Sequence, residues 1–315
     1  MIVAWVIATI ATLALSKLRI IAIDEPNERS LHRNPLPRTG GIAIQAGILG
    51  GSAAYGSYHW LELIAIGVAA ISLLDDRKHV AIWIRLLCQF IAAAAFVFLA
   101  ARSSNLVYVM ALLIGIVWVA NLYNFMDGGD GLAGGMAVIG FGAYGFMALE
   151  HGAMNLSHLS FCTSAAAFGF LIFNLPPAKI FMGDVGSVSL GFLAGTIGAL
   201  GWLEKIWPLW FPFVVFAPFV IDASITLLRR ALVRKRFWEP HREHYYQRLI
   251  LTGWSHRQTA GAEYGLMIIC AACAVIAMRV GPSVQLAMLL FLASLFLVLM
   301  MLVDRRWERR TGKAA

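Results

Sequence analysis

Two carboxylates and an amide recur at three-residue intervals in the segment NFMDGGDG. This spacing places Asn124, Asp127 and Asp130 on one face of a helix. Gly128 and Gly129, which lie between the acids, allow a ligand to approach the backbone closely. A plain turn also favours Asp and Gly, but these side chains lie between two apolar runs that are each long enough to cross a bilayer. Polar groups at that depth usually serve function.

Further acids stand at the ends of other apolar runs. Asp75 and Asp76 are adjacent in LLDDRK, where their charges repel each other and favour a nearby cation; a solvated helix end explains the pair equally well. Asp184 lies in FMGDVGS, where a helix cap and a phosphate-binding helix start are compatible roles. Asp222 is the one acid well inside an apolar run, where it can pair with the basic helix end or line a lipid groove.

A basic segment, residues 229–262, contains eight Lys or Arg residues and three histidines. We expect part of it to contact anionic lipid and to fix the topology. The pair His241 and His244 lacks a third soft ligand that would indicate a metal site. Together with Arg242, these histidines are better suited to phosphate, because the forked guanidinium group matches phosphate oxygens.

The composition predicts an all-α, polytopic membrane protein. Of the 315 residues, 60% are hydrophobic and 13% are charged, whereas soluble domains contain about 25% charged residues. We interpret residues 1–315 as one transmembrane catalytic domain that includes the basic segment. Windows of adequate apolar length predict eleven spans, or ten if a short one fails to cross, at about 1–20, 41–58, 61–74, 83–101, 105–123, 131–149, 158–174, 187–203, 207–228, 263–279 and 283–303.

The loops divide sharply by charge. Alternate loops and the carboxyl-terminal tail carry 22 of the 25 Lys and Arg residues, and the other side carries only Arg102, Lys205 and Arg279. The positive-inside rule therefore predicts an external amino terminus and a cytoplasmic carboxyl terminus. The segment after the first span, which contains ERSLHRNPLPRTGG and is called the first polar segment, joins the four described above. All five polar segments then face the cytoplasm, which indicates one composite site at the inner surface of the membrane.

The ligand types in these segments predict a hard metal ion. Carboxylate and amide oxygens without cysteine suit Mg²⁺, with Mn²⁺ as a substitute, and do not suit zinc or copper. The four cysteines all lie in predicted spans, where small residues pack helices together. A divalent ion beside arginines at a membrane surface indicates phosphoryl transfer to or from a lipid.

The motifs LLDDR, NFMDGGDGLAGG and FMGDVGSVSLGF occur here in an order and spacing that resemble one known family. The chain is similar to the polyprenyl-phosphate N-acetylhexosamine-1-phosphate transferases, multi-pass enzymes of the bacterial inner membrane. The resemblance implies that undecaprenyl phosphate attacks the sugar-bearing phosphate of a UDP-N-acetyl-hexosamine. UMP leaves, and a lipid diphosphate sugar remains.

The resemblance also implies roles for the acids. Asn124 and Asp184 take the positions of Mg²⁺ ligands, and Asp127 lies near the metal and the diphosphate. Asp75 and Asp76 take the position of the acidic pair that acts at the lipid phosphate. The first step implied is charge neutralisation between two anionic reactants.

Other residues are implied as binding contacts. Asp130, with Gly128 and Gly129, is expected near the uridine, and Arg85 near the diphosphate. The remaining candidates for nucleotide or diphosphate contacts are His241, Arg242 and His244. Arg38 and Asp222 are candidates for lipid-phosphate or sugar contacts.

The last polar segment limits the choice of substrate. It reads EPHREHYYQRL and lacks the three consecutive histidines of the branch that handles the muramyl-pentapeptide nucleotide. This favours the branch that starts O-antigen, lipopolysaccharide or related surface polysaccharides, with GlcNAc, FucNAc or QuiNAc as the sugar and the peptidoglycan-precursor reaction as the alternative. By analogy a homodimer is expected, and no feature indicates nucleic-acid binding.

Two other functional classes fit these residues less well. A secondary transporter keeps acids near the midplane, often in two related halves, whereas these acids collect at one interface and no internal repeat is visible. An intramembrane aspartyl protease requires a G-x-G-D motif, which neither Asp130 nor Asp184 provides.

Overall fold

The protein is a bundle of helices in a computed structural model that describes residues 1–18, 22–24, 35–53, 58–78, 80–101, 105–234 and 241–312. Its elements in chain order are α1 (Ile2–Lys17), β1 (Ile23–Asp24), β2 (Leu36–Pro37), α2 (Gly40–Ser52), α3 (His59–Lys78), α4 (Ile82–Ala100), α5 (Leu106–Phe125), α6 (Leu132–Glu150), α7 (Met154–Asn174), α8 (Gly183–Leu203), α9 (Trp210–Val215), α10 (Ala217–Leu232), α11 (Tyr245–Leu251), α12 (His256–Ala277) and α13 (Pro282–Thr311). The two short strands pair antiparallel.

The predicted all-α membrane class is confirmed. Each predicted span coincides with at least one helix. Within the described residues, seven helices are long and apolar enough to cross a bilayer, namely α4 to α8, α12 and α13. The exact number of spans stays a prediction.

The ninth predicted span is two helices. Phe216 separates α9 from α10, and Pro218 stands in the first turn of α10. Because proline has no backbone N–H, it is tolerated at a helix start but interrupts a continuous helix. The basic segment is not a plain loop, since its described residues include the end of α10, all of α11 and the start of α12.

Two parts of the sequence-predicted motifs lie outside the described residues. These are residues 25–34, within the first polar segment, and residues 235–240, within the basic segment.

Helix α8 lies at the centre of the bundle, where nearly all of its residues are buried. It packs against α2, α3 and α5. A Cβ atom on Gly41 would lie 2.1 Å from the Gly186 nitrogen, so the backbones of α2 and α8 cross in direct contact. Small residues at such crossings allow membrane helices to approach closely. By contrast, Leu292 and Phe296 are the buried residues of α13, and its remaining apolar surface is available to lipid.

The turns that carry the candidate residues meet at one end of the bundle, which we call the polar end. Asp184 at the start of α8 contacts Arg38 and Arg85. Asp130, between α5 and α6, contacts His256 at the start of α12. Four turns and the β2–α2 connection therefore converge on one region.

Candidate active site

The backbone around Arg38 pairs with the segment that precedes α8. The Phe181 N–H donates to the Pro37 oxygen (2.8 Å), and the Gly40 N–H donates to the Phe181 oxygen (2.9 Å). Gly183 has a φ of 70°, and a Cβ atom there would lie 2.6 Å from the Arg38 oxygen. Glycine is required at this position because both the positive φ and the close approach exclude a side chain. These contacts fix Arg38 beside the first turn of α8.

Two arginines join three of the predicted carboxylates. Arg38 Nη2 lies 3.0 Å from Asp184 Oδ1 and 3.1 Å from Asp76 Oδ1. Arg85 Nη1 lies 3.3 Å from Asp184 Oδ2 and also contacts the Asp75 carboxylate. Asp184 is therefore held between two guanidinium groups. The structure brings together side chains that are more than a hundred positions apart in the sequence.

The start of α8 already binds an anionic group of the protein itself. The N–H groups of Asp184 and Val185 each point at the Asp76 carboxylate, at 3.4 Å. The free N–H groups of a helix start favour a negative charge, and here Asp76 supplies it. Asp75 is fixed separately, because it accepts a hydrogen bond from the Val80 N–H at 2.8 Å.

Asn124 reaches the same turn of α8 through a hydroxyl group. Ser187 Oγ donates to Asn124 Oδ1 at 2.6 Å, and Ser187 lies one turn after Asp184. Asn124 and Asp184 also line one small cavity of about 20 Å³ between α3, α4, α5 and α8. The polar lining of this cavity consists of Ser72, Arg85, Gln89, Asn121, Asn124 and Asp184.

The carboxyl groups of this region outnumber the arginines beside them, and burial shifts the pKa of two of these carboxyl groups. Burial raises the pKa of Asp76 to about 7; Arg38 opposes this shift and Asp184 adds to it. Burial also raises the pKa of Asp127 well above its ordinary value, with Arg38 opposing and the Asp184 and Asp76 carboxylates adding to the shift. A nearby cation would favour the charged forms of both groups.

Asp130 connects two loops of the polar end. Its Oδ2 accepts a hydrogen bond from the Ala178 N–H at 3.2 Å, and its Oδ1 lies 3.5 Å from His256 Nδ1. The next residue, Gly131, donates its N–H to Asn174 Oδ1 at 3.0 Å. Asp130 thus has contacts within the protein, and its expected role near the uridine stays a prediction.

Gly128 and Gly129 make room for a side chain of α11. A Cβ atom on Gly128 would lie 2.3 Å from the Tyr246 hydroxyl, and one on Gly129 would lie 3.5 Å from the same ring. The Tyr246 hydroxyl donates to the Phe125 oxygen at 3.3 Å. The glycines are predicted to let a ligand approach the backbone, whereas in the structure the Tyr246 side chain lies against Gly128.

The His244 ring stacks against Phe125 of the NFMDGGDG segment, and the His241 ring stacks on that of His244. The His241 and His244 rings are 4.9 Å apart, and the His244 ring lies 6.3 Å from that of Phe125. Arg242, between them, is partly exposed. Of the predicted diphosphate contacts, His244 therefore lies directly beside the NFMDGGDG segment.

Asp222 lies with α11 and not among the acids at the start of α8. Its Oδ1 accepts hydrogen bonds from the Tyr245 N–H (2.9 Å) and the Thr226 hydroxyl (3.1 Å). Its Oδ2 accepts one from the Tyr246 N–H (3.2 Å), and His244 Nδ1 lies 3.3 Å from Oδ1. The carboxylate thus holds the first turn of α11. Both of its oxygens already have partners within the protein, whereas a lipid-phosphate or sugar contact was predicted for Asp222.

Sequence reasoning missed several residues that complete this arrangement. Asn121 Nδ2 donates to Gln89 Oε1 at 2.6 Å. Asn121 lies one turn before Asn124 in α5, and Gln89 lies one turn after Arg85 in α4. Polar side chains inside apolar spans were the available signal. Other residues that the motifs did not identify are Ser187, Asn174, Tyr246, His256 and Asp304.

Comparison with known proteins agrees with the motifs. Residues 59–201 match the sequence model of a family described as glycosyl transferase family 4. A probable undecaprenyl-phosphate N-acetylglucosaminyl 1-phosphate transferase of Bacillus subtilis (strain 168) is 30% identical over 302 residues, which cover 87% of this chain and 84% of the relative.

Two enterobacterial relatives agree. The undecaprenyl-phosphate alpha-N-acetylglucosaminyl 1-phosphate transferase of Yersinia pestis is 28% identical, covering 83% of this chain and 76% of the relative. The protein of that name from Escherichia coli (strain K12) is 30% identical, covering 75% and 71%. The chain therefore belongs to the polyprenyl-phosphate N-acetylhexosamine-1-phosphate transferases of glycosyl transferase family 4, membrane enzymes that transfer a sugar 1-phosphate.

Proposed function

We propose that this enzyme transfers N-acetylglucosamine 1-phosphate from UDP-N-acetylglucosamine to undecaprenyl phosphate. An oxygen of the lipid phosphate bonds to the sugar-bearing phosphorus, the bond to the second phosphate breaks, and UMP leaves. The convergence of Asp75, Asp76, Asn124 and Asp184 around two arginines is the observation that carries this proposal. The names of the relatives support the lipid and the sugar.

A magnesium ion fits the donor set of this region. No group of three His, Cys, Asp or Glu side chains with metal-binding geometry occurs among the described residues. Mg²⁺ does not need such a group, because one or two carboxylates and the substrate phosphates complete its shell. Asp184 and Asn124 would hold the ion from the cavity that they share. When bound, it would neutralise the diphosphate and the leaving UMP. Mn²⁺ offers the same chemistry.

The protein's own groups would then orient two anions. Arg38 and Arg85 are partly exposed, each with 30% of its side chain accessible, so phosphate oxygens can compete for them. His241, Arg242 and His244 would bind the diphosphate. Asp75 and Asp76 would position the lipid phosphate. The second pKa of a phosphate monoester is about 6, so little proton removal is needed at neutral pH.

The setting follows from the charge distribution. We place the polar end at the cytoplasmic face of the inner membrane, with the amino terminus outside, because 22 of 25 Lys and Arg residues lie in loops and a tail on that side. The reaction would supply the first lipid-linked intermediate of an O-antigen or related surface polysaccharide. A homodimer is expected by analogy.

The test is release of UMP by the purified full chain. Undecaprenyl phosphate and Mg²⁺ are incubated with UDP-GlcNAc, UDP-FucNAc, UDP-QuiNAc or the muramyl-pentapeptide nucleotide, and an Asp184→Asn variant is the control. We expect UMP release with UDP-GlcNAc that requires both the lipid phosphate and the ion. Release with the muramyl nucleotide alone would indicate the peptidoglycan precursor reaction. No release with any donor would contradict the proposal and favour a transporter.

A further inference from the structure

Asp304, near the end of α13, binds three side chains from other elements. It accepts two hydrogen bonds from Arg229 of α10, at 3.0 and 2.8 Å. Arg248 of α11 donates a third, at 2.8 Å, and the Tyr245 hydroxyl donates a fourth, at 3.3 Å. A single carboxylate therefore joins the ends of α10, α11 and α13.

The geometry of these contacts favours a rigid connection. Bidentate arginine–carboxylate pairs are among the stronger and more directional hydrogen-bonded pairs. Arg248 is nearly inaccessible, with 6% of its side chain exposed, and its guanidinium group lies over the rings of Tyr245 (5.2 Å) and Trp307 (5.6 Å). Its Nε also donates to the backbone oxygen of Glu243 at 2.8 Å. The backbone beside the two histidines is thus tied to α13.

The same turn of α11 faces the acidic site on its other side. Tyr245 directly follows His244, whose ring stacks on Phe125. Tyr246 reaches the Phe125 oxygen with its hydroxyl. Asp222 holds the backbone N–H groups of this turn. The turn that follows His244 is therefore held between two carboxylates, one from α10 and one from α13.

We propose that Asp304 is a positioning residue for the transfer reaction. It touches no reacting group; it acts through Arg248 and Tyr245 to keep His241, Arg242 and His244 (the histidine segment) against the NFMDGGDG segment. This inference rests on the proposed function, in which the histidine segment binds the diphosphate of the nucleotide. A purely structural role would affect both substrates alike, whereas positioning affects the nucleotide selectively.

The experiment compares Asp304→Asn with Glu308→Gln in the purified full chain. Glu308 lies one turn further along α13 and is exposed, so its substitution removes the same charge from the same helix while Asp304 stays in place. For Asp304→Asn we expect the KM for UDP-GlcNAc to rise about tenfold, because loss of contacts made equally in the ground and transition states raises KM. The KM for undecaprenyl phosphate should stay within about twofold, and Glu308→Gln should leave both values unchanged. Equal increases in both KM values, or none, would overturn the proposal.

A double-mutant cycle separates this inference from the function on which it rests. If Asp304 acts through the histidine segment, Asp304→Asn should add little to the loss caused by His244→Ala. Additive losses would overturn the positioning role. A fully active His244→Ala variant would contradict the binding role of the histidine segment and this inference with it. An impaired His244→Ala beside a normal Asp304→Asn would overturn this inference alone.

Milder variants keep the test informative if Asp304→Asn does not fold. Tyr245→Phe removes one hydrogen bond to Asp304, and Arg248→Lys removes the planar fork but keeps the charge. Both should raise the KM for UDP-GlcNAc about two- to fivefold without changing that for the lipid. Unchanged KM values in both variants would overturn the proposal.

Discussion

Two clusters of arginines and carboxylates lie near the polar end, and they differ in charge balance. The acidic cluster consists of the carboxylates Asp75, Asp76, Asp127 and Asp184 with the arginines Arg38 and Arg85. The basic cluster consists of the carboxylate Asp304 with Arg229 and Arg248. Carboxyl groups therefore outnumber arginines in the first cluster, and arginines outnumber the carboxylate in the second.

We interpret this difference as that between a site for a cation and a cluster that positions helices. Charged carboxylates without enough counter-charges are unfavourable in a partly buried site, and binding of a divalent cation would offset that cost. In the basic cluster both carboxylate oxygens are fully used within the protein, and the cluster joins three elements. The predictions below test whether the acidic cluster controls catalysis while the basic cluster controls geometry.

The largest effect is expected for Asp184→Asn. The amide has the same shape but removes a charge that two arginines and the proposed ion share. UMP release should fall by about 10³-fold, at the upper end of what loss of one electrostatic contact in an active site causes. Thermal unfolding should change little, because the surplus of negative charge is reduced. A variant with more than a tenth of normal turnover would contradict the assignment.

A smaller loss is expected for Gly183→Ala. The positive φ disfavours alanine by about 1–2 kcal/mol, and the added methyl group would lie 2.6 Å from the Arg38 oxygen and 2.8 Å from Asp76 Oδ2. Displacement of these groups should lower turnover about 10²-fold. Gly265→Ala is the matched control, because a Cβ atom at that position would have no neighbour within 4 Å. Equal activity of the two variants would show that the acidic cluster tolerates displacement.

The sequence predicted the long helices and the acids, but not the contacts between them. Hydropathy located the helices, and the motifs identified the acids. The break at Phe216 and helix α11 were missed, because short helices next to prolines and charges have no strong periodicity. Asp304 was missed because no motif surrounds it; the one signal is an acid at the end of an apolar run, as with Asp75. Which arginine binds which acid depends on helix packing, which the sequence does not reveal.

A moderate effect is expected for Gln89→Leu. This substitution removes the 2.6 Å hydrogen bond to Asn121, which joins α4 and α5 next to the acidic cluster. We expect a loss of about 1 kcal/mol in stability and a decrease of about three- to tenfold in turnover. Gln285→Leu is the control, since its amide bonds to the Ala277 and Val280 oxygens at the α12–α13 turn. Similar losses of turnover in both variants would indicate a general packing defect.

The smallest effect on catalysis is expected for Arg229→Gln. It removes two hydrogen bonds to Asp304, but those from Arg248 and Tyr245 remain. Because Arg229 is more than a third exposed, the loss of stability should be about 1 kcal/mol, with turnover within about twofold of normal. Thermal unfolding and UMP release are compared with those of Arg305→Gln, an exposed arginine of α13. A loss of turnover as large as that of Asp184→Asn would remove the distinction between the clusters.

Binding of Mn²⁺, followed by electron paramagnetic resonance, shows whether the acidic cluster holds a divalent ion. The purified chain is titrated with Mn²⁺ in the presence of UDP-GlcNAc, and the nucleotide without protein is the blank. We expect one protein-dependent Mn²⁺ site per chain that Mg²⁺ displaces, that Asp184→Asn abolishes and that Asp304→Asn retains. Unchanged Mn²⁺ binding by Asp184→Asn, or the absence of any protein-dependent site in the unaltered chain, would contradict this expectation.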